Sequence, residues 1–119
     1  MTTFTIHRLT CFTIHGLTWD IADGHSVAEL GYIPSFLNVR DERPARDQLN
    51  ENYAHGGGWR EFTGFTFDPI TKTITYPGDP TYKQIAQTEL PNGEIVRVFP
   101  YAWVMIEQPN GDFEISRMD

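Results

Sequence analysis

Closely spaced turn sequences divide the second half of the chain into short segments, and this division constrains the fold more than any other feature. Turns are predicted at residues 68–69 (DP), 77–80 (PGDP), 91–93 (PNG) and 109–112 (PNGD). Proline and glycine interrupt regular structure, and Asn-Gly is typical of tight hairpins. From Trp59 onward the apolar period changes from about four residues to about two, the period of a strand. We therefore predict a mostly antiparallel, twisted β-sheet built as a meander of hairpins.

Four segments have the alternating, β-branched and aromatic composition of strands. They cover residues 72–76, 95–99, 102–107 and 113–118. Segment 102–107 is the most apolar and is predicted to be a central strand, whereas 113–118 is predicted at or near an edge. Residues 62–67 lead into the first turn. Residues 82–90 are compatible with a short helix or a strand, and the hairpin turn that follows them favours a strand.

One main helix is predicted near residues 44–55 and is expected to pack on the sheet. Pro44 suits the first helical position, where its missing N–H has no intrahelical partner to lose. Gly56 suits the left-handed position that ends many helices. An apolar stripe at four-residue spacing would face the core, and it consists of Ala45, Leu49 and Tyr53. This helix and the sheet together predict a fold of the α+β class.

The N-terminal region contains a near-repeat, in which residues 3–10 and 11–18 match at six of eight positions. Its composition favours a strand, with a bend near Thr10-Cys11 or at Gly16. Residues 1–20 are therefore either part of the sheet or an extension or strand-exchange arm. Ser26 and Glu29 have the spacing of a capping box, which predicts a single helical turn. The connector after this turn is expected to contact the core through Ile33, Phe36 and Leu37.

The composition limits both the architecture and the function. The 119 residues predict one domain over 1–119, and 39% hydrophobic with 13% aromatic residues suffices for a core. The net charge of −7 argues against nucleic-acid partners and against an anionic membrane surface. Cys11 is the only cysteine, so it excludes an internal disulfide, and its apolar neighbours predict a buried thiol. No apolar run or basic leader indicates a membrane span or a signal peptide, which predicts a cytoplasmic location.

The densest group of unusual residues follows the predicted helix and forms a candidate ligand site. Consecutive glycines allow backbone N–H groups to converge on an anion, with an imidazole and an indole beside them. The pattern matches neither the P-loop nor the dinucleotide-binding fingerprint. The alternative is structural, with the glycines ending the helix and Trp59 in the core. The candidate residues are His55, Gly56, Gly57, Gly58, Trp59 and Arg60.

No other sequence feature identifies a catalytic or metal site. The four histidines lack metal-binding spacing, so we assign no metal, no cofactor and no catalytic residue. Asp79 lies in a proline-rich turn and is either a turn-forming aspartate that bonds nearby backbone or an acid or base. The enzyme hypothesis requires an acid such as Asp79, or a second histidine, within hydrogen-bond reach of His55. Arg117, on the last predicted strand, could bind a carboxylate or a phosphate, or form a surface ion pair with a nearby acid.

Several short segments resemble small uncharacterised proteins encoded by bacteriophages and prophages. They are residues 33–37 (IPSFL), 53–59 (YAHGGGW), 76–80 (YPGDP), 102–104 (AWV) and 110–119 (NGDFEISRMD). The resemblance covers residues 33–119 and brings no catalytic residues with it. It implies a small, acidic, cytoplasmic accessory protein that acts by binding.

Three functional hypotheses follow from these observations. The first is a non-enzymatic accessory or inhibitory protein that binds a host or phage protein through exposed aromatic and arginine side chains such as Tyr101, Trp59 and Arg60. The second is a small-ligand protein that binds an anion or nucleotide-like molecule at residues 55–60. The third is a small hydrolase-like enzyme with His55 as base. Exposed strand edges also make a homodimer a reasonable expectation.

Overall fold

The computed structural model describes residues 10–31, 33–52, 59–78 and 80–118. These residues form a mostly antiparallel β structure with one α-helix, which is compatible with the predicted α+β class. Short 3₁₀ helices cover Val27–Leu30 and Ile33–Phe36, and a tight turn with non-helical backbone covers Pro100–Ala102. The longer elements are β1 (Thr10–Ile14), β2 (Leu17–Ile21), α1 (Ala45–Asn52), β3 (Trp59–Phe62), β4 (Thr66–Asp68), β5 (Thr73–Thr75), β6 (Tyr82–Lys83), β7 (Ala86–Glu89), β8 (Ile95–Val98), β9 (Trp103–Glu107) and β10 (Phe113–Met118).

The described strands form two antiparallel sheets. The larger has seven strands in the order β1-β2-β7-β8-β9-β10-β3, and the smaller has three in the order β4-β5-β6. Three hairpins lie where turn residues predicted them, joining β4 to β5, β7 to β8 and β9 to β10. Gly93 and Gly111 have φ values of 91° and 96° in the second and third turns. Each position therefore needs the left-handed backbone that glycine adopts without strain.

Two predicted segments are divided between the sheets, which the sequence did not indicate. The segment 62–67 breaks at Gly64, whose φ is 94°, so β3 ends in the large sheet and β4 begins in the small one. The segment 82–90 is likewise two strands, β6 and β7. Between them the Gln84 N–H donates to Lys72 O and the Ile85 N–H donates to Val98 O, at 2.9 and 2.7 Å. The chain thus changes sheets within two residues.

The described part of the N-terminal region belongs to the large sheet. The predicted bend at Gly16 is a complete reversal, because His15 and Gly16 have φ values of 52° and 82° and join β1 to β2 as a hairpin. Trp19 on β2 is fully buried. Asp20 and Ile21 pair with Gln87 and Ala86 on β7. Residues 1–9 lie outside the described residues, so the strand-exchange arm stays a prediction.

The prediction that Cys11 is buried was wrong. Its side chain is exposed, because β1 is an edge strand of the large sheet. The Cys11 thiol donates a hydrogen bond to Asp20 Oδ1 at 3.1 Å. This bond, and to a lesser extent desolvation and the carboxylate charge, raises the pKa of the Cys11 thiol. The cysteine is therefore held in the less nucleophilic thiol form.

The helix α1 begins at Ala45, one residue later than predicted. Pro44 precedes it, and the Pro44 carbonyl accepts hydrogen bonds from the N–H groups of Asp47 and Gln48 at 3.0 and 3.2 Å. Ala45 and Leu49 are fully buried, as the apolar stripe predicted. Tyr53 and the rest of the predicted helix to residue 55 lie outside the described residues.

A buried carboxylate from the sheet caps the start of this helix. Glu94, in the turn before β8, is 4% exposed. Its Oε1 accepts hydrogen bonds from the Ala45 N–H at 2.8 Å and from Asn92 Nδ2 at 2.7 Å. Its Oε2 accepts one from Gln108 Nε2 at 2.8 Å. A negative charge at a helix N-terminus is favourable, so Glu94 connects α1 to two hairpin turns of the large sheet.

The buried apolar residues form two cores. The main core joins Ala45 and Leu49 of α1 to large-sheet residues such as Trp19 and Val96, and the connector residues Ile33, Phe36 and Leu37 contact it as predicted. The second core contains Met105 and Ile115 of the large sheet with Ile74 of the small sheet. Alternate residues of a strand face opposite sides of its sheet, so the two cores lie on the two faces of the large sheet.

A buried arginine also lies at the second core. Arg97 on β8 is 8% exposed, and its Nη1 donates to Gln84 Oε1 and Gln87 Oε1 at 2.9 and 2.7 Å. Its Nη2 lies 3.6 Å from Glu107 Oε2. Its guanidinium carbon lies 5.1 Å from the ring centroid of Phe67 on the small sheet. Arg97 therefore links the two sheets by both hydrogen bonding and cation–π contact.

Candidate functional site

The structure describes only two of the six residues predicted to form a ligand site. His55, Gly56, Gly57 and Gly58 lie outside the described residues. The side chain of Trp59 is half-buried against the main core. Arg60 is exposed and its guanidinium carbon lies 5.2 Å from the ring centroid of Phe62, which contacts the second core. Trp59 and Arg60 thus project from opposite faces of β3 and do not lie together, and the ligand site stays a prediction.

Aromatic side chains gather instead on the face of the large sheet that carries Arg60. Five residues line an open recess of about 310 Å³, and two more, Arg60 and Phe62, extend this surface along β3. We call the seven together the aromatic–arginine surface. The residues that line the recess are Phe65, Tyr82, Tyr101, Trp103 and Arg117.

Strand register places one aromatic and two basic residues of this surface in a row. Trp103 on β9 is the cross-strand partner of Arg117 on β10, and Arg117 is the partner of Arg60 on β3. Directly opposed residues of antiparallel strands share a face. The guanidinium carbon of Arg117 lies 5.3 Å from the Trp103 ring centroid, within cation–π range.

Contacts between rings fix the position of Trp103, which is only 8% exposed. The Phe62 and Phe65 rings both lie 4.9 Å from it, centroid to centroid. Phe65 is in turn 4.9 Å from Tyr76. A Cβ added at Gly64 would lie 3.0 Å from the Tyr76 ring, so the absence of a side chain at residue 64 allows this packing. The floor of the recess is therefore a packed aromatic cluster.

Tyr101 forms the exposed wall of the recess, and its backbone is strained. Its side chain is 71% exposed. Tyr101 and Ala102 both have a φ of 63°, a left-handed conformation that costs a non-glycine residue roughly 1–2 kcal/mol. Arg117 Nε donates a hydrogen bond to the Tyr101 carbonyl at 3.1 Å, and the Tyr82 ring packs edge-on at 5.7 Å. Strained residues persist where surrounding structure holds them, and they cluster at functional sites.

The two arginines of the surface have no carboxylate partner within the part of the chain that the structure describes. The basic residues with ion-pair partners there are His25, Arg43, Arg46 and Arg97. Arg60 and Arg117 are direct cross-strand partners of the same charge, an arrangement that costs stability. The surface therefore carries a local positive charge on a chain whose net charge is −7.

Comparison with family models, curated proteins and solved structures found no match to this chain. Across the residues with described positions, no helix has the length and apolar character needed to cross a membrane. Within the same residues, no three His, Cys, Asp or Glu side chains cluster in a way that could hold a metal ion. Asp79 and His55 lie outside the described residues, so the hydrolase hypothesis stays a prediction.

The carboxyl groups with shifted pKa values lie at the end of β4, in a 3₁₀ helix and in a loop. Backbone N–H groups of Ile70 and Thr71, in the turn between β4 and β5, lower the pKa of the Asp68 carboxyl. A hydrogen bond from His25 lowers the pKa of Glu29, and one from Arg43 lowers that of Asp41. The Ser26 N–H donates to Glu29 Oε1 at 3.1 Å, as the predicted capping-box spacing requires. These groups stabilise local structure, and none belongs to the aromatic–arginine surface.

Sequence reasoning identified Tyr101, Arg60 and Arg117 but missed that Phe62, Phe65, Tyr82 and Trp103 complete the surface. One signal was available in the connection between β8 and β9. This connection reverses the chain across Phe99-Pro100-Tyr101-Ala102 without a glycine. A tight reversal without glycine is a place where positive φ falls on other residues, as it does at Tyr101 and Ala102.

Proposed function

We propose that this chain is a non-enzymatic binding protein that acts through contact with another protein. The observation that carries the proposal is Tyr101, which is 71% exposed and is held in a left-handed conformation by Arg117. A protein gains nothing for its own core by holding an aromatic ring in water at the cost of backbone strain. Such a ring is useful when a partner covers it.

The composition of the surface supports a protein partner. Tyrosine, tryptophan and arginine are the residues most enriched among the energetically dominant contacts of protein interfaces. The recess of about 310 Å³ is at the lower limit for a small-molecule pocket and is open to solvent. It has room for one protruding side chain of a partner rather than for a whole cofactor.

The resemblance to phage-encoded proteins supports a role in a phage-infected or prophage-carrying host cell. We propose an accessory or inhibitory protein of phage type that meets a host or phage protein in the cytoplasm. We further propose that the large sheet is a twisted meander of hairpins with the helix packed on one face, since antiparallel sheets have a right-handed twist. The aromatic–arginine surface lies on the opposite face, where the small sheet also packs.

Site-specific photo-crosslinking tests this function. A photoreactive phenylalanine analogue replaces Tyr101 in the full chain, which is then irradiated in a host lysate. The control carries the same analogue at Ile70, which is 90% exposed and is not part of the aromatic–arginine surface. We expect a protein joined at residue 101 and not at residue 70. With that protein purified, Tyr101→Ala should weaken its binding about 30-fold, as for a dominant interface residue. Equal crosslinking at both positions, or none at 101, would contradict the proposal.

A further inference from the structure

We propose that the aromatic–arginine surface binds an acidic segment of the partner protein. In this arrangement, Arg60 and Arg117 pair with carboxylates of the segment, and the recess receives one flat side chain that lies between them. This inference rests on the proposed function and specifies the chemistry of the partner.

The arginine pair of this surface lacks a counter-charge among the described residues. Arg60 and Arg117 lie side by side on β3 and β10, and no described carboxylate neutralises either. Three other arginines of this acidic chain, Arg43, Arg46 and Arg97, each have a carboxylate neighbour. Two unpaired like charges on adjacent strands cost stability, and bound carboxylates would remove that cost.

Arg117 is oriented with two of its guanidinium nitrogens available to a ligand. Its Nε donates to the Tyr101 carbonyl, and its guanidinium lies over the Trp103 ring. Among the described residues, the Nη1 and Nη2 nitrogens of Arg117 donate to no acceptor. A guanidinium donates hydrogen bonds in its own plane, so these two nitrogens can bind a carboxylate through paired N–H groups. The contacts that hold Tyr101 thus also orient Arg117 for an anion.

Aromatic rings line the recess beside the two arginines. Rings of Phe65, Tyr82 and Trp103 surround about 310 Å³, which accommodates one aromatic or proline side chain. Aromatic rings prefer edge-to-face or offset contacts with a ring that enters between them. The aromatic recess and the two flanking arginines together fit a short segment in which acidic residues flank a tyrosine or a proline.

The overall charge of the chain favours an acidic peptide over a nucleic acid. A nucleic acid presents roughly one charge for every 1.7 Å of duplex, and a chain of net charge −7 repels such a polymer beyond the two arginines. A peptide segment can place its few carboxylates on Arg60 and Arg117 alone. The repulsion that remains is small, and added salt screens it.

Titration of the isotope-labelled full chain, followed by NMR, tests the inference. The probe is the capped peptide Glu-Glu-Tyr-Glu-Glu, and its neutral match is Gln-Gln-Tyr-Gln-Gln. We expect saturable shifts at the Trp103 indole and the Arg60 and Arg117 side chains, with affinity about 10-fold higher for the acidic peptide. Arg60→Gln and Arg117→Gln should each reduce that affinity about 5- to 10-fold. Arg40→Gln, at an exposed arginine outside this surface, should have no effect.

The Arg60→Gln variant keeps the test informative if Arg117→Gln disturbs the connection between β8 and β9, which contains Tyr101. Arg117 bonds the Tyr101 backbone, whereas the described contact of Arg60 is with the Phe62 ring alone. Three results would overturn the inference. They are equal affinity for the two peptides, chemical-shift changes confined to residues outside the surface, and no saturation at about 5 mM peptide. Tighter binding of a short oligothymidylate would also overturn it, in favour of a nucleic-acid surface.

The two proposals fail in different ways. A partner that crosslinks at residue 101 but binds the two arginine variants unchanged refutes the acidic segment and leaves the proposed function in place. An absence of crosslinking at residue 101 refutes the proposed function, whatever the peptides do.

Discussion

Replacement of Glu94 by alanine should destabilise the protein by about 4 kcal/mol, because this one carboxylate accepts three hydrogen bonds at the start of α1. The Ala45 N–H is fully buried and would lose its acceptor, at about 1–3 kcal/mol. The loss of the buried negative charge at the helix N-terminus adds about 1 kcal/mol. Asn92 is exposed and Gln108 half-buried, so water can replace their bonds at about 1 kcal/mol together.

Glu94→Gln should cost less, about 1–2 kcal/mol. An amide oxygen in place of Oε1 still accepts from Ala45 and Asn92. Its nitrogen then faces Gln108, whose amide can flip to present its oxygen. Only the charge is lost, and with it the favourable interaction of that charge with the helix N-terminus.

Urea unfolding of both variants measures these differences, and Glu89→Ala on the exposed side of β7 is the matched control. We expect the order Glu94→Ala, Glu94→Gln, Glu89→Ala from largest to smallest loss. A loss below about 1 kcal/mol for Glu94→Ala would refute the reasoning, because it would show that water satisfies the Ala45 N–H. Equal losses for the alanine and glutamine variants would show that the charge carries the whole effect.

Three further predictions concern other positions. Ala102→Gly should raise stability by about 0.5–1 kcal/mol in thermal unfolding, because glycine removes the left-handed strain of a φ of 63°; a clear loss would contradict this. Arg97→Met should lower the free energy of unfolding by about 2 kcal/mol, since Gln84 is left buried without its partner, whereas Arg40→Met should be neutral. Backbone N–H groups hold the pKa of Asp68 below its ordinary value of 3.8, so its stabilisation is complete above about pH 4 and is lost as the pH falls further. Asp68→Asn should therefore flatten the decline in urea-unfolding stability below about pH 4, and an unchanged slope would count against it.

Local chemistry made the hairpins predictable, and long-range packing made the rest of the fold unpredictable from sequence. The Asn-Gly pairs at residues 92–93 and 110–111 require positive φ at glycine, which fixes the turn whatever surrounds it. The break at Gly64 has no comparable local signature, because strand pairing decides which sheet receives Phe62 and which receives Thr66. The same holds for Gln84 and Ile85, where the chain changes sheets.

The candidate surface was only partly predictable for the same reason. Tyr101 and Arg117 could be recognised singly from a loop and a late strand. Their association with Trp103 depends on the register of the β9–β10 hairpin, and their association with Arg60 depends on the pairing of β10 with β3, which is distant in sequence. Periodicity shows which face a residue occupies within its own strand but not which residue lies opposite it. The glycine-rich candidate at residues 55–58 stays a prediction.

The position of β10 between β9 and β3 has a consequence for synthesis of the protein. The ribosome releases β3 long before β10, so β3 has no neighbour in its sheet until the later strand emerges. Arg60 meets Arg117 and Trp103 only at that stage. A nascent or truncated chain that lacks β10 would therefore present neither the arginine pair nor the wall that Arg117 supports at Tyr101. Under the proposed function, only chains whose translation has passed this strand would engage the partner.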